Sequence, residues 1–258
     1  MSFEPRLGEP NTGVIITGGA SGLGRASAQA LAAVGRPVSL WDLDAKKAAA
    51  VANEIEERYG VLAQGIAVDV RDPEALGQAA ATARDFLPNI GGFVHAAGVV
   101  DTDSLDGLTP ESWDNGIKIH LRPLALLAKE LLDDLADLPG SAIVAFASIN
   151  ATLGNATNPI YTAAKGGALS LVRSLADRLA REGIRVNAIS PGQIRTPMMQ
   201  PALDELGDEA FTRRILLERI GEPDEIGRVV RFLLSEEASY ITASEIVVDG
   251  GNISSQRV

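Results

Sequence analysis

Cysteine is missing from all 258 residues, and histidine occurs only as His95 and His120. The first absence excludes disulfides, thiol nucleophiles and thiolate metal sites. The second leaves too few ligands for a multi-histidine metal centre, so no metal is expected. Positive charge is also scarce: 23 Lys and Arg face 34 Asp and Glu, a net charge of −11. The basic residues are dispersed, so the footprint needed for nucleic acid or an anionic membrane surface is lacking. Long apolar runs are absent as well. The most apolar stretch, LALLAKELL, is cut by Lys129 and Glu130 and cannot span a bilayer. The opening segment MSFEPRLGEPNTG has no signal-peptide core. A cytoplasmic protein without nucleic-acid or membrane partners is the expectation.

What is present suits an α/β protein. The chain is 46% hydrophobic, with 26 Gly and 13 Pro, and is long enough to bury its own core. Short β-rich runs occur at Val14–Thr17, Val38–Asp42, Ile66–Asp69, Phe93–Ala96, Ile143–Ala147, Arg185–Ile189 and Ile246–Val248. Helix-length segments separate them: Leu23–Val34, Ala45–Tyr59, Pro73–Phe86, Pro110–Leu135, Ile160–Glu182 and Asp224–Leu234. The strands are too apolar to alternate between core and water, which predicts a sheet covered on both faces. Repeated βα units of this kind predict a doubly wound parallel sheet of about seven strands in one Rossmann-like domain, residues 1–258. The one long connection without a clear strand, about 193–220, is a candidate substrate lid.

Tyr161 and Lys165 stand four residues apart in YTAAK, and Ser148 ends the apolar run AIVAFAS thirteen residues upstream. On a helix an i,i+4 pair shares one face. A free tyrosine titrates near 10; bringing it toward 7 takes about 3 units, roughly 4 kcal/mol. A close ammonium in a partly dry site can supply that. Alone the pair is a weak signal, since most such pairs are a buried aromatic beside a solvated lysine. Its context carries the weight.

The first strand runs into TGGASGLG, residues 17–24, and then into a helix. Gly18, Gly22 and Gly24 allow a tight turn whose backbone approaches a pyrophosphate seated on the helix N-terminus. Asp42 closes the second strand, where a carboxylate can accept both ribose hydroxyls of an adenosine. Asp44 is better read as a helix cap. Both carboxylates oppose a 2′-phosphate, at about 4 kcal/mol per unit charge pair at 4 Å before screening. An arginine would favour that phosphate, and the chain offers Ser21 and Leu43 instead. NAD is therefore expected over NADP.

With these residues in place, the whole chain resembles the short-chain dehydrogenase/reductase family. The resemblance is carried by TGGASGLG, Asp69-Val70 after the third strand, HAAG after the fourth, and Ser148, Tyr161 and Lys165 at catalytic spacing. IRVNAISPGQIRTP (184–197) and the tail closing in Asp-Gly-Gly extend it to the end. It implies that Tyr161 exchanges a proton with the substrate oxygen, Ser148 hydrogen-bonds that oxygen, and Lys165 holds the nicotinamide ribose while lowering the tyrosine pKa. It further implies cofactor contacts from Gly18, Ser21, Gly22, Leu23, Gly24, Asp42, Leu43, Asp69, Val70, His95, Ala97, Gly98, Pro191, Gly192, Ile194 and Thr196, besides Tyr161 and Lys165. A homotetramer is also implied.

Three positions depart from the family pattern. HAAG at 95–98 stands where Asn-Asn-Ala-Gly is commoner, and Ala243 occupies a turn that usually favours glycine. His120 stands where an asparagine usually completes a catalytic tetrad by supporting a water that links the lysine to solvent. An imidazole there can also bind water, and it titrates near 6.5, which would add a pH-dependent step. A histidine that merely fills a buried helix face is the alternative.

The candidate lid carries Met198, Met199, Leu203, Leu206, Phe211, Ile215, Leu216 and Leu217, able either to line an apolar pocket or to pack the lid onto the body. Arg195, Arg213 and Arg214 can meet an anionic substrate or simply be solvated. The expected activity is NAD-dependent interconversion of a secondary alcohol and a ketone. Reduction of a 3-oxoacyl thioester, or NAD binding without turnover, are the alternatives.

Overall fold

In the structure, a computed structural model describing residues 4–254, strand and helix alternate along the chain. β1 (Gly13–Thr17), α1 (Gly22–Ala32), β2 (Val38–Asp42), α2 (Ala45–Tyr59), β3 (Ala63–Ala67), α3 (Pro73–Phe86) and β4 (Ile90–His95) form the first half. α4 (Pro110–His120), α5 (Arg122–Glu130), α6 (Leu132–Ala136), β5 (Ala142–Phe146), α7 (Asn150–Leu153), α8 (Pro159–Leu179) and β6 (Arg185–Pro191) follow. α9 (Gln200–Leu206), α10 (Asp208–Thr212), α11 (Pro223–Leu233) and β7 (Glu245–Val248) complete it. All seven strands are parallel, in the order β3-β2-β1-β4-β5-β6-β7.

The pleat explains the uniformly apolar strands. Ile15, Trp41, Phe93, Ile143 and Val186 point to one face, where α3, α5 and α8 cover them through Leu76, Leu124 and Val172. Their neighbours Val14, Leu40, Val94, Val144 and Ile189 point to the other, covered by α1, α2 and α11 through Leu31, Ile55 and Val230. A period of two therefore serves two dry faces in the central strands, while the edge strands β3 and β7 keep partly exposed positions.

Two element boundaries differ from expectation. The third strand lies at Ala63–Ala67, earlier than Ile66–Asp69, because its register matches Val38–Asp42 residue for residue. Asp69 instead turns the chain, its carboxylate accepting the Arg71 N–H at 2.9 Å. The segment Pro110–Leu135 breaks into three helices. Pro123 has no N–H for the Ile119 carbonyl and its ring crowds that oxygen, so α4 stops at His120 and α5 restarts at Arg122.

The connection after β6 is pinched at its base. Arg195 N–H donates to Gly221 O and Gly221 N–H to Gln193 O, both at 2.9 Å. α9 and α10 sit in the loop thus closed. Leu203 and Ile215 are buried while Met198, Leu206, Leu216 and Leu217 are exposed, so lid residues divide between packing and facing outward.

Ala243 adopts φ +55°, the left-handed conformation that costs a residue with a Cβ about 1–2 kcal/mol. Ala243→Gly is expected to raise unfolding stability by about 0.5–1 kcal/mol in urea melts, with the m-value unchanged.

Candidate active site

Parallel strands bring every carboxyl end to one edge, and the loops that follow β1 to β6 line a single cavity of ≈ 960 Å³ there. Gly18, Ser21, Gly22, Leu23 and Gly24 come from the turn after β1, and Asp42 and Leu43 from the end of β2. Asp69, Val70, Ala97, Gly98, His120, Ser148, Tyr161, Lys165, Pro191, Gly192, Ile194 and Thr196 line it too. Residues spread over nearly 180 positions thus share one wall.

The glycine turn is built for close backbone approach. Gly18 has φ +66°, and a Cβ on Gly24 would lie 2.1 Å from Gly18 O. Ser21 caps α1 without a side-chain hydrogen bond, and no acidic residue occupies the first helical turn. The helix N–H groups and their positive dipole end are therefore left to an anion. Asp42 fixes the same turn: one carboxylate oxygen accepts the Ala20 N–H and the other the Asp44 N–H, each at 3.1 Å. Thr196 packs over Gly22, with 3.7 Å between its Cβ and the position a Gly22 Cβ would take. These features fit a dinucleotide pyrophosphate and an adenosine ribose. Asp69 is engaged differently from expectation. Arg71 grips both carboxylate oxygens through Nε and Nη2 at 2.7–3.1 Å, holding the carboxyl below the ordinary range. Arg71 also donates to Asn115, so it ties β3 to α4 across the cavity.

Around the tyrosine, α8 is positioned from outside itself. Asp101 accepts the Ile160 and Tyr161 N–H groups at 3.1 and 2.9 Å, capping the helix where its own Asn158 makes no side-chain cap. No local motif marks Asp101, because it lies sixty residues upstream of Tyr161. Lys165 is buried and donates to Phe146 O at 2.7 Å, and its Nζ stands 5.5 Å from the centre of the Tyr161 ring. Burial lowers its pKa to about 8. The phenol behaves contrary to expectation. Burial raises the Tyr161 pKa, opposed by a hydrogen bond with Ser148.

The two histidines meet. Thr17 Oγ1 accepts the Ala96 and Ala97 N–H groups at 3.2 and 3.3 Å, so its own proton goes to His95 Nδ1 at 2.8 Å. His95 must then carry its proton on Nε2, which donates to the His120 carbonyl at 3.1 Å. His95 is thereby turned into the protein, 2% exposed and outside the cavity lining, away from the nucleotide wall where it was expected. His120 Nε2 lies 2.7 Å from Val99 O and 3.2 Å from Val99 N, so both backbone groups of Val99 meet the same ring nitrogen, while Nδ1 is buried without a hydrogen-bond partner. Its ring stands edge-on to Tyr161, centroids 5.4 Å apart. The glycine at 98 makes room for it, since a Cβ there would lie 2.7 Å from His120 Cε1. Burial, then the Lys165 charge, lowers the His120 pKa to about 2. The expected titration near 6.5 is therefore corrected: both charge repulsion and desolvation keep this imidazole neutral.

Among the described residues no cluster of three or more metal-ligating side chains occurs, and no helix is long and apolar enough to cross a membrane. Of the lid arginines, Arg195 is paired with Asp208 at 2.6 Å and Glu222 at 3.6 Å. Met198, Met199, Leu206 and Phe211 line the cavity from the lid.

Comparison with known proteins agrees with this geometry. Residues 18–252 match the family described as Enoyl-(Acyl carrier protein) reductase. The chain is 37% identical over 252 residues to a short-chain type dehydrogenase/reductase of Sinorhizobium fredii, covering 96% of this chain and 45% of that longer protein. It is equally 37% identical to levodione reductase of Leifsonia aquatica, covering 92% of each. The crystal structure of L-sorbose reductase from Gluconobacter frateurii, complexed with NADPH and L-sorbose, superimposes with a TM-score of 0.91 at 27% identity, covering 96% of this chain and 99% of that one. The fold and site define a dinucleotide-binding oxidoreductase class, and the chain belongs to the short-chain dehydrogenase/reductase family.

The histidine pair sets a pH dependence of stability. Free histidine titrates at 6.5, while His95 is lowered to about 4 and His120 to about 2, chiefly by burial. Above pH 6.5 the contribution is complete. Below it the unfolded chain takes up protons that the fold refuses, so stability falls with pH. Urea melts are expected to lose on the order of 3 kcal/mol between pH 7.5 and 5.0, and either His→Asn variant should remove about half of that slope.

Proposed function

We propose that the protein is an NAD-dependent oxidoreductase interconverting a secondary alcohol and a ketone. The observation that carries this reading is that Ser148, Tyr161 and Lys165 line the same cavity as the glycine turn and Asp42. When bound, the nicotinamide supplies the hydride acceptor or donor. The protein supplies the proton. Tyr161 gives its phenolic proton to the substrate oxygen in reduction and takes it back in oxidation. Ser148 donates a hydrogen bond to that oxygen and stabilises the charge that develops there. Lys165, with a pKa of about 8, is protonated at neutral pH and keeps a positive charge beside the ring.

We assign His120 to the proton path as a neutral imidazole. Its Nδ1 is buried without a hydrogen-bond partner and so has a hydrogen-bonding position open to a water. His120→Phe is expected to lower kcat without changing the shape of its pH profile, because the wild-type imidazole does not titrate there.

Asp42, Leu43 and Ser21 support NAD over NADP, since Asp42 adds a negative charge where a 2′-phosphate would sit and none of the three offsets one. The sorbose reductase was solved with NADPH, so this choice is tested directly. NADH is expected to bind at least about tenfold more tightly than NADPH, and Asp42→Ala should narrow the gap. Equal affinities in the wild type would overturn the assignment. The raised Tyr161 pKa keeps the phenol protonated at neutral pH. Alcohol oxidation should accordingly rise with pH above 7, and Tyr161→Phe should cost about 10²–10⁴ in kcat. Reduction of a 3-oxoacyl thioester is the second reading, supported by 32% identity over 237 residues to a 3-oxoacyl-[acyl-carrier-protein] reductase of Aquifex aeolicus. A tetramer is the proposed assembly on family resemblance alone.

A further inference from the structure

We propose that the substrate is a short, uncharged polyhydroxy ketone, or the polyol to which it is reduced, recognised by Asn150, Gln193 and Glu205. This rests on the oxidoreductase reading above. All three residues line the cavity, and none of their side chains makes a hydrogen bond among the described residues. Asn150 adjoins the reacting centre, its N–H lying 3.2 Å from Ser148 Oγ. Gln193 sits at the pinched base of the lid and is half-buried. Glu205 projects from α9, on the lid itself.

The chemistry of these groups selects the ligand. A primary amide both donates and accepts, and a carboxylate accepts only. Hydroxyl groups, which do both, can pair with each of these groups. A hydrocarbon ketone would displace water from the amides and return nothing, leaving polar groups unpaired. The apolar lid side chains Met199 and Phe211 suit the C–H faces of such a carbon chain.

Charge excludes the main rival. Among the described residues, the cations lining the cavity are Arg71 and Lys165. Arg71 is committed to Asp69 in a bidentate pair and Lys165 to Phe146 O at 2.7 Å. No cavity-lining cation is free to offset Glu205. A thioester on a phosphate-bearing carrier would add negative charge beside that carboxylate, where repulsion acts in a partly dry site.

The test compares erythrulose, 2-butanone and acetoacetyl-CoA as substrates of the full chain with each nicotinamide cofactor. Erythrulose is expected to exceed 2-butanone in kcat/KM by at least about a hundredfold. Asn150→Ala and Gln193→Ala should each lower kcat/KM for erythrulose about tenfold more than for 2-butanone. Glu205→Gln should raise the share of acetoacetyl-CoA turnover. As a readout independent of turnover, saturation-transfer NMR should detect erythritol on the Tyr161→Phe protein and lose it when Asn150→Ala is added. Equal or better use of 2-butanone or acetoacetyl-CoA, or amide variants that depress both ketones alike, would overturn this inference alone. No turnover of any carbonyl or alcohol would overturn the oxidoreductase reading, and this inference with it.

Discussion

Parallel pairing is the constraint from which the site descends. Because every strand runs the same way, every carboxyl end opens on one edge, and the loops there are free of the ladder. The sheet grows outward from β1 in both directions, toward β3 on one side and β7 on the other. The loops after β1 and β4 must therefore part, and the crevice between them is where the glycine turn and Ala97-Gly98 face one another. Thr17 closes the bottom of that crevice by accepting both Ala96 and Ala97 N–H groups.

From Thr17 a chain of polar contacts runs through the interior to the tyrosine. The hydroxyl proton of Thr17 sets the tautomer of His95, His95 holds the carbonyl of His120, and the His120 ring stands against Tyr161. In a low-dielectric core such a network is worth keeping only if its members are satisfied. All are, apart from His120 Nδ1, which is buried without a hydrogen-bond partner among the described residues. The floor of the nucleotide crevice and the proton-transfer residue are thus parts of one rigid unit.

Much of this was legible in the chain. The apolar runs gave six strands to within a few residues, and the glycine turn, Asp42 and the Ser148–Tyr161–Lys165 spacing pointed to the residues that the structure gathers in one cavity. Motifs are legible when their members are close in sequence and their chemistry is unusual. Asp101, which caps α8 from sixty residues away, has neither property. The third strand was displaced because apolar residues after β3 continue the pattern while pairing ends at Ala67. The fracture of Pro110–Leu135 was marked by Pro123, whose local effect was outweighed by a long helical periodicity.

The two histidines mark the boundary between the kinds of knowledge. Their identity, and the departure of both positions from the family pattern, is a matter of sequence. That one hydrogen-bonds the backbone of the other, that both stay neutral, and that His95 leaves the nucleotide wall are not. The same holds for Lys165, whose spacing promises a charge beside the phenol but whose ammonium is drawn to Phe146 O. Spacing along a helix determines which groups can meet. Desolvation and the nearest competing acceptor decide which do, and those depend on residues brought together only by the assembled sheet.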